Sequence, residues 1–430
     1  MGGEKMKESV DVVITVNSPG EVSGWLKPVV EALAASPGAY RITVFIPPCP
    51  FASGAESRVV EELPQVEQVV GPRETVRFII SGKVPAGFNP AGKGIVLFLG
   101  GDLAYVALLT KRLRYPAVAY TEGLTGWTRS FTRFAMPYSW MADKVKDPAV
   151  KKKTAVIGNL MLDAVKPQYT KEQLKKMIGN EQAPGLLLLP GSRPVHFQYM
   201  LAYYVKTIEK IKEHLPTLAT ALSISPFVTE EQLVAALSGW GAEEWGLSAT
   251  YLPSREMNYN TEGPLQPLGE IRTATGVHLP CFHHQQYNLM NWADLALTIP
   301  GTNTVELAAL GVPMVVTVPL THPEEIPLEG LAGLIGRVPF LGKLLKRKLV
   351  PKFLTKIKFS AWPNRLAKAQ IIPELIGMIS PEEVSKTAVG ILKDESVRQQ
   401  IADRLKQIVG EPGAAQRLVG ILQEVLSEND

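Results

Sequence analysis

Short apolar runs rich in β-branched residues alternate with amphipathic segments through the first half of the chain. They predict, in order, strand 11–16, helix 25–35, strand 41–46, helix 76–81, strand 94–99, helix 103–114 and strand 117–120. Strands that read as continuous apolar runs are typical of a parallel sheet with helices on both faces. The pattern therefore predicts a parallel α/β domain.

The same alternation restarts after a polar, turn-forming linker at 179–185. It predicts strands at 186–189, 218–224, 295–299 and 314–318, and helices that begin near 196, 230 and 302. The polar stretch 251–272 is predicted as a long connection or an irregular hairpin, and closing helices are predicted at 381–393, 397–409 and 414–427. We expect an N-terminal domain at 1–180, a second domain at 181–395, and C-terminal helices at 396–430 that can cross back to the first domain.

Composition narrows the class of protein. Hydrophobic residues make up 46% of the chain and charged residues 20%, as in globular, core-forming proteins. The net charge of +4 gives no reason to expect a nucleic-acid partner. Cys49 and Cys281 lack metal-ligand spacing and fit a reduced, cytosolic protein. We predict neither a signal peptide nor a membrane-spanning segment, so that any membrane contact is expected to be peripheral.

A glycine-containing turn follows the first predicted strand. It reads Asn-Ser-Pro-Gly-Glu-Val-Ser-Gly-Trp at 17–25, at the carboxyl edge where open α/β sheets bind ligands. There Gly20 lets backbone approach a ligand, and Glu21 can orient a sugar hydroxyl or accept a proton. The alternative is a plain turn in which Glu21 and Ser23 only cap the following helix.

Asp102 follows the predicted strand 94–99 at the same kind of edge. A carboxylate there can act as the general base that removes a proton from an attacking hydroxyl. An ordinary helix N-cap for the helix at Leu103 is the alternative.

Two turns of the second predicted domain have the features of anion sites. After the strand 186–189, the sequence Pro-Gly-Ser-Arg includes Gly191, Ser192 and Arg193 and precedes a helix, which suits a diphosphate. After the strand 295–299, a second turn and helix start can bind phosphate oxygens and place an acid for ribose hydroxyls; its candidate residues are Gly301, Thr302, Asn303, Thr304 and Glu306. A plain strand–helix turn, and a first-turn acid that complements the helix dipole, are the alternatives.

Two further features are less specific. His283 and His284 are adjacent and therefore point in different directions, which favours a satisfied polar pair over a shared metal, although one of them can still act as a base or contact a diphosphate. Basic residues alternate with apolar ones at 330–358, including Lys346, Arg347 and Lys348, which is typical of an amphipathic element on an anionic membrane surface. A packed helix with a solvated basic face is the alternative there.

Taken in order, these motifs resemble those of bacterial lipid-A-disaccharide synthases, which are GT-B glycosyltransferases. Asp102 falls at the position of the family's proposed catalytic aspartate. The other matching segments are Gly-Glu-Val-Ser-Gly at 20–24, Ile-Gly-Asn-Leu-Met-Leu-Asp at 157–163, Leu-Pro-Gly-Ser-Arg at 189–193, Gly-Thr-Asn-Thr-Val-Glu at 301–306, Pro-Asn-Arg-Leu at 363–366 and Ile-Pro-Glu-Leu at 372–375.

The resemblance implies a GT-B fold, in which two Rossmann-like parallel-sheet domains face a cleft. It implies a UDP-linked acylated glucosamine as donor, a glycolipid monosaccharide as acceptor, inversion at the anomeric carbon and release of UDP, with no metal or other cofactor. Asp102, or else Glu21, would be the base, and the two anion turns would bind the donor. Gly20, Ser23 and Asn159 would face the acceptor, in a cytoplasmic enzyme peripheral to the inner membrane.

The chain also departs from the family pattern. Trp25 stands where the family has an aspartate and Asn159 where it has a histidine, and residues 47–71 show no clear correspondence. Three alternatives therefore stay open. They are a GT-B enzyme with a different glycolipid acceptor, a UDP-sugar epimerase, and a catalytically dead scaffold at the membrane surface.

Overall fold

The computed structural model describes residues 9–49, 52–178, 181–257, 264–321 and 358–429. The chain divides into two units, which are described separately. Unit 1 comprises Met1–Ala164 and Gly410–Asp430, and unit 2 comprises Val165–Val409. The last helix of the chain thus belongs with the N-terminal sheet.

Within the described residues, unit 1 is built on a seven-stranded sheet in the order β3-β2-β1-β4-β5-β6-β7. Every neighbouring pair is parallel. The strands are β1 Val10–Thr15, β2 Tyr40–Phe45, β3 Gln68–Val70, β4 Gly94–Phe98, β5 Ala117–Tyr120, β6 Arg133–Met136 and β7 Thr154–Val156. The central strands β1 and β4 are almost wholly buried because helices cover both faces, as the apolar runs predict.

The helices of unit 1 begin and end where local sequence favours it. The helix Pro72–Ser81, for example, has proline in its first turn and ends at Gly82, which adopts a φ of 73°. The π-helical turn Val22–Leu26 precedes the helix Lys27–Ala35, at the position of the Gly-Glu-Val-Ser-Gly motif. The remaining α-helices are Pro19–Glu21, Glu56–Glu61, Leu103–Leu113, Ser139–Asp143, Pro148–Lys152, Leu160–Ala164 and Ala414–Ser427.

The closing helix Ala414–Ser427 is attached to unit 1 by a carboxylate that is distant in sequence. Asp163 accepts hydrogen bonds from the backbone N–H groups of Gly413 and Ala415, the latter at 2.7 Å. Arg417 of the helix donates to the carbonyl of Ile157 at 2.6 Å. The aspartate of the 157–163 motif therefore caps a helix that begins about 250 residues further along the chain.

Unit 2 has an eight-stranded sheet within the described residues, in the order β10-β11-β12-β9-β8-β13-β14-β15. Its strands are β8 Gly185–Leu189, β9 Ala219–Ile224, β10 Ala249–Pro253, β11 Gly269–Thr273, β12 His278–His283, β13 Leu295–Thr298, β14 Met314–Pro319 and β15 Glu374–Gly377. The neighbouring pairs β10–β11 and β11–β12 are antiparallel. The other neighbouring pairs, β12–β9, β9–β8, β8–β13, β13–β14 and β14–β15, are parallel. The two ends of the polar stretch 251–272 thus lie in β10 and β11, which pair antiparallel, as in the irregular hairpin that was one of the two predictions for it.

Apolar residues of the sheet and of one long helix form the core of unit 2. Leu186 and Leu188 are fully buried in one cluster with Phe197 and Leu201 of the helix Pro194–His214. Full burial of each such side chain stabilises the fold by about 1.5–3 kcal/mol. The other helices are Lys171–Ile178, Glu230–Ala236, Trp240–Trp245, Gln286–Trp292, Asn303–Ala309, Trp362–Ala367, Pro381–Lys393 and Glu395–Val409.

Candidate functional site

Strands β1 and β4 form the switch point of the first sheet. They are parallel neighbours, and the strands that follow each of them lie on opposite sides, β2 beyond β1 and β5 beyond β4. A crevice for ligands forms outside the carboxyl ends of strands at such a point. The turn at 17–24 leaves β1 there and the glycine pair Gly100-Gly101 leaves β4 there, as the sequence predicts.

The two turns meet at the Glu21 carboxylate. Its Oε2 accepts the backbone N–H groups of Asn17 at 3.0 Å and Ser18 at 3.1 Å. A Cβ atom at position 100 would overlap the carboxylate, so that Gly100 is the residue type that leaves room for it. Gly101, at a φ of 96°, lies against the side chain of Asn17. Through its bond from the Ser18 N–H, Glu21 completes a capping box at the start of the helix, which is the capping alternative predicted from the sequence. Its carboxylate also sits in a cradle built from both turns.

The environment of Glu21 changes its acidity. Burial raises the pKa of the Glu21 carboxyl to about 7, although the hydrogen bonds from Asn17, Ser18 and Gly101 act in the opposite direction. A carboxylate with a pKa near neutrality can exchange a proton at physiological pH, which is the property that a general base requires. Glu21 therefore has this property.

Asp102 lies one residue beyond the glycine pair and has a different environment. Its side chain is exposed and accepts the backbone N–H of Ala104 at 2.8 Å, so that it caps the helix Leu103–Leu113. Both the cap and a catalytic role were open from the sequence. The structure shows the cap, and the role of Asp102 as base stays a prediction.

The acceptor residues predicted from the motif lie beside this cradle. Gly20 and Ser23 are partly buried in the turn and in the π-helical segment that follows. Trp25, which replaces the family's aspartate, packs edge-on against Tyr120 at a ring distance of 5.3 Å. This departure therefore exchanges a carboxylate for an aromatic contact inside unit 1.

Asn159, which replaces the family's histidine, has both ends of its amide hydrogen-bonded. It is 4% exposed, donates through Nδ2 to the Tyr138 hydroxyl at 2.9 Å and accepts the N–H of Met161 at 3.0 Å. The hydroxyl of Tyr120 accepts the N–H of the next residue, Leu160, at 3.2 Å. Asn159 thus fixes the backbone of its own motif, and its predicted contact with an acceptor stays a prediction.

Strands β8 and β13 form the corresponding switch point of the second sheet. They are parallel neighbours with Thr298 opposite Leu189, and β9 and β14 lie outside them. The turns that follow these strands, at 190–193 and 299–303, are the two anion turns predicted from the sequence. Their common location at a carboxyl edge is what a diphosphate site in an α/β fold requires.

Gly191 lets the two turns pack closely. It has a φ of 104°, and a Cβ atom there would lie 2.7 Å from the Cδ1 of Ile299 in the other turn. Ser192 and Arg193 follow and are partly buried, directly before the helix Pro194–His214. The positive end of the dipole of this 21-residue helix lies at the same edge, and Arg193 is its N-cap residue.

The second anion turn and the helix start after it contain residues that a ligand can reach and residues that are buried. Gly301 is exposed, and Thr302 and Asn303 are partly buried, so that these three can contact a ligand. Thr304 is fully buried and donates to the Gly301 carbonyl at 2.8 Å. This hydroxyl shapes the turn from inside, which the sequence pattern did not distinguish from direct phosphate contact.

Glu306 is also a supporting residue in this structure. It is 1% exposed, and its carboxylate accepts hydrogen bonds from the Gln286 amide at 2.7 Å and the Tyr287 hydroxyl at 3.3 Å. The predicted contact of Glu306 with ribose hydroxyls stays a prediction. Gln286 and Tyr287 belong to none of the motifs recognised in the sequence. The only sequence signal for them is their position shortly after the histidine pair.

The histidine pair lies at the carboxyl end of β12. The Nε2 of His283 is 3.2 Å from the Ser225 carbonyl oxygen, and the two imidazole rings meet edge-on at 4.1 Å. His284 is exposed and adopts a φ of 60°, which turns the chain into the helix Gln286–Trp292. Among the described residues, no group of three or more His, Cys, Asp or Glu side chains is arranged to hold a metal ion.

The basic–apolar segment lies almost entirely outside the described residues, and so do Lys346, Arg347 and Lys348. Its predicted membrane contact stays a prediction. In the part of the chain that the structure describes, every helix is too short or too polar to cross a bilayer.

Comparison with solved structures defines the class of fold. S. aureus MnaA, solved with UDP, superposes with a TM-score of 0.55 at 12% identity over 97% of both chains. The UDP-GlcNAc 2-epimerase of Methanocaldococcus jannaschii gives a TM-score of 0.50 at 14% identity over 97% of this chain and 99% of its own. Together with the two parallel-sheet units, these likenesses confirm the predicted GT-B fold.

Comparison with curated sequences finds relatives with a higher sequence identity than these solved structures have. The chain is 24% identical to the lipid-A-disaccharide synthase of Persephonella marina over 274 residues, 63% of this chain and 58% of the relative. It is 24% identical to that of Gluconobacter oxydans over 259 residues, 57% of this chain and 48% of the relative. The chain thus spans about half the length of these curated relatives, and no family model matches it. The resemblance predicted from the motifs, that of a divergent relative of lipid-A-disaccharide synthases, is confirmed.

Proposed function

We propose that this protein is an inverting glycosyltransferase that transfers an acylated glucosamine from UDP to a glycolipid monosaccharide and releases UDP. The observation that carries the proposal is the switch point of unit 2. There Gly191 brings two turns together beside Arg193 and the start of a long helix. This arrangement supplies the positive charge and the N–H donors that a departing diphosphate needs.

The proposed reaction is a displacement at the anomeric carbon of the donor. A hydroxyl oxygen of the acceptor forms a bond to the anomeric carbon of the donor, and the bond from that carbon to the β-phosphate oxygen breaks. The hydroxyl proton passes to a carboxylate, and the bonding electrons leave with UDP. Arg193 and the helix at Pro194 stabilise the charge that develops on the diphosphate.

For the proton acceptor we favour Glu21 over Asp102, which the sequence placed first. Each carboxylate caps a helix start, but Glu21 is withdrawn from water and its pKa is raised to about 7, which suits a base at neutral pH, whereas Asp102 is exposed. The direct support for an acylated sugar and a glycolipid acceptor is the similarity to lipid-A-disaccharide synthases. The peripheral membrane location has the same support and rests also on the predicted segment 330–358.

The test is an assay of UDP release from a panel of UDP-sugars, with and without lipid monosaccharide acceptors. We expect release that depends on the acceptor, and no loss of turnover in EDTA because Arg193 and backbone N–H groups neutralise the diphosphate. Interconversion of the donor sugars without an acceptor would instead identify an epimerase. Absence of both turnover and UDP binding would leave a scaffold without activity and contradict the proposal.

A further inference from the structure

Asn364 lies at the centre of a hydrogen-bond network in unit 2. It is fully buried, and its Nδ2 donates to the carbonyl of Ile372 at 2.9 Å and to Oε1 of Glu374 at 2.7 Å. Its Oδ1 accepts the N–H groups of Ile371 at 2.6 Å and Ile372 at 3.0 Å. All the hydrogen-bonding capacity of this amide is therefore used inside the protein.

Glu374, the first residue of β15, extends the network to the start of a helix. Its Oε2 accepts the N–H of Ser360 at 2.7 Å, the hydroxyl of Ser360 at 2.5 Å and the N–H of Ala361 at 3.1 Å. A carboxylate that accepts several N–H and O–H groups fixes them strongly, because hydrogen bonds to a charged acceptor are stronger than neutral ones. The backbone that enters the helix Trp362–Ala367 is thereby fixed relative to β15.

That helix start reaches the second anion turn. The N–H of Trp362 donates to the Thr304 hydroxyl at 3.4 Å, and the same hydroxyl donates to the carbonyl of Gly301 at 2.8 Å. The helices Trp362–Ala367 and Asn303–Ala309 also pack against each other. A continuous series of contacts thus joins Asn364 to the turn that presents Thr302 and Asn303.

We infer that Asn364 is a positioning residue for the diphosphate of the donor. Together with Glu374, it holds the Trp362 N–H on Thr304 and so maintains the shape of the turn at 301–303. This inference rests on the proposed function, since it assumes that the turn binds UDP. It also gives a role to two segments that match the family pattern but for which the sequence predicted no function, Pro-Asn-Arg-Leu at 363–366 and Ile-Pro-Glu-Leu at 372–375.

A pair of substitutions that exchanges the amide and the carboxylate between positions 364 and 374 tests the inference. Asn364→Asp removes both Nδ2 donors and places a second carboxylate 2.7 Å from that of Glu374, where the amide stood. We expect this variant to bind UDP about tenfold more weakly by calorimetry. Adding Glu374→Gln should restore most of the affinity, because the new amide at position 374 can donate to the new carboxylate at position 364 while its oxygen still accepts from Ser360 and Ala361.

Asp294→Asn is the matched control. Asp294 is a nearly buried carboxylate directly before β13, at the amino end of that strand and away from the two anion turns. There it accepts the N–H of Gly185 at 2.8 Å and pairs with Lys171 at 2.8 Å. Its loss should lower the melting temperature but leave UDP affinity unchanged. If Asn364→Asp is poorly folded, Glu374→Gln alone serves as the milder variant, with a smaller loss of affinity expected.

The outcomes separate this inference from the proposed function. Absence of UDP binding by the unaltered protein would overturn the proposed function and the inference with it. UDP binding by the unaltered protein, with equal affinity in the folded Asn364→Asp variant, would overturn the inference alone. A loss of affinity that the exchange with Glu374→Gln does not reverse would also count against it, because the network predicts that the pair acts together.

Discussion

At the switch point of the first sheet, Gly100 makes room for the Glu21 carboxylate, whereas at that of the second sheet Gly191 makes room for the neighbouring turn at Ile299. Both positions lie at carboxyl ends of parallel strands, where the topology alone forms a crevice. The first crevice therefore holds an acid whose burial raises its pKa to about 7. The second is bordered by Arg193 and a helix start.

The difference shows that the fold determines where each crevice lies, whereas individual residues determine which chemistry it can support. In the first unit, a carboxylate removed from water is suited to accept a proton. In the second, the same kind of strand–turn–helix junction is suited to hold an anion. Substitutions that exchange or remove one of these properties should therefore have separable effects on turnover and on UDP binding.

The largest effect is expected for Glu21→Gln. The amide keeps an oxygen for the N–H groups of Asn17 and Ser18 but cannot accept a proton, so that turnover should fall by about 10²–10⁴-fold. UDP affinity, measured by calorimetry, should stay the same. In the unaltered enzyme, kcat should rise with pH through about 7, as the carboxyl loses its proton.

Asp102→Asn is the control for this prediction. Asparagine also caps helices, so that we expect turnover within a few-fold of the unaltered enzyme if Asp102 serves as the cap of Leu103–Leu113. The opposite pattern, with activity lost in Asp102→Asn and kept in Glu21→Gln, would return the role of base to Asp102.

Arg193→Ala should have the next largest effect, on binding. Loss of a charge-assisted contact with a diphosphate weakens UDP affinity by about 10–100-fold. Arg272→Ala is the control, because Arg272 lies on the antiparallel arm and pairs with Glu270 at 2.6 Å. Equal UDP affinity in the Arg193 and Arg272 variants would remove Arg193 from the donor site.

Periodicity was sufficient to predict most of the parallel strands in both units. Continuous apolar runs such as 94–99 and 186–189 need two covered faces, and few other structures bury them. The short strands β3, β6, β7 and β15 were not predicted, since each has three or four residues and begins with a polar one, which leaves too short an apolar run to recognise. The antiparallel arm was predicted only as a long connection or an irregular hairpin, for another reason: its strands carry Thr, Glu, Arg and His, and tertiary pairing decides their conformation.

At the site, sequence could identify turns but not the burial of individual side chains. Glu21 and Asp102 belong to similar glycine-containing turns and both cap a helix, yet Glu21 is packed against Gly100 and withdrawn from water whereas Asp102 is exposed. Thr304 likewise looked like a phosphate ligand, whereas its partner Trp362 is 58 residues away. Such long-range contacts leave no local pattern.

Gly100→Ala should reduce stability. The added Cβ would overlap the Glu21 carboxylate and force it, or the backbone of the turn, to move, at a cost of about 3 kcal/mol in the free energy of unfolding. Gly92→Ala is the control because a Cβ there has nothing within 4 Å. Urea denaturation gives both values. Equal stability of the two variants would show that the Glu21 cradle tolerates a side chain at position 100.

A last effect expected is a pH-dependent difference in stability between Glu21→Gln and the unaltered protein. The pKa of Glu21 is raised from its ordinary value of 4.5 to about 7, so the folded state holds this proton more tightly than the unfolded state. The resulting stabilisation is complete below pH 4.5 and is lost as pH rises through 7. Glutamine has no proton to lose, so the variant should gain about 3 kcal/mol on the unaltered protein between about pH 4.5 and 8. Urea denaturation at several pH values measures this gain. A difference that does not change with pH would mean that the pKa of Glu21 is the same in the folded and unfolded states, and the contrast between the two switch points would then rest on geometry alone.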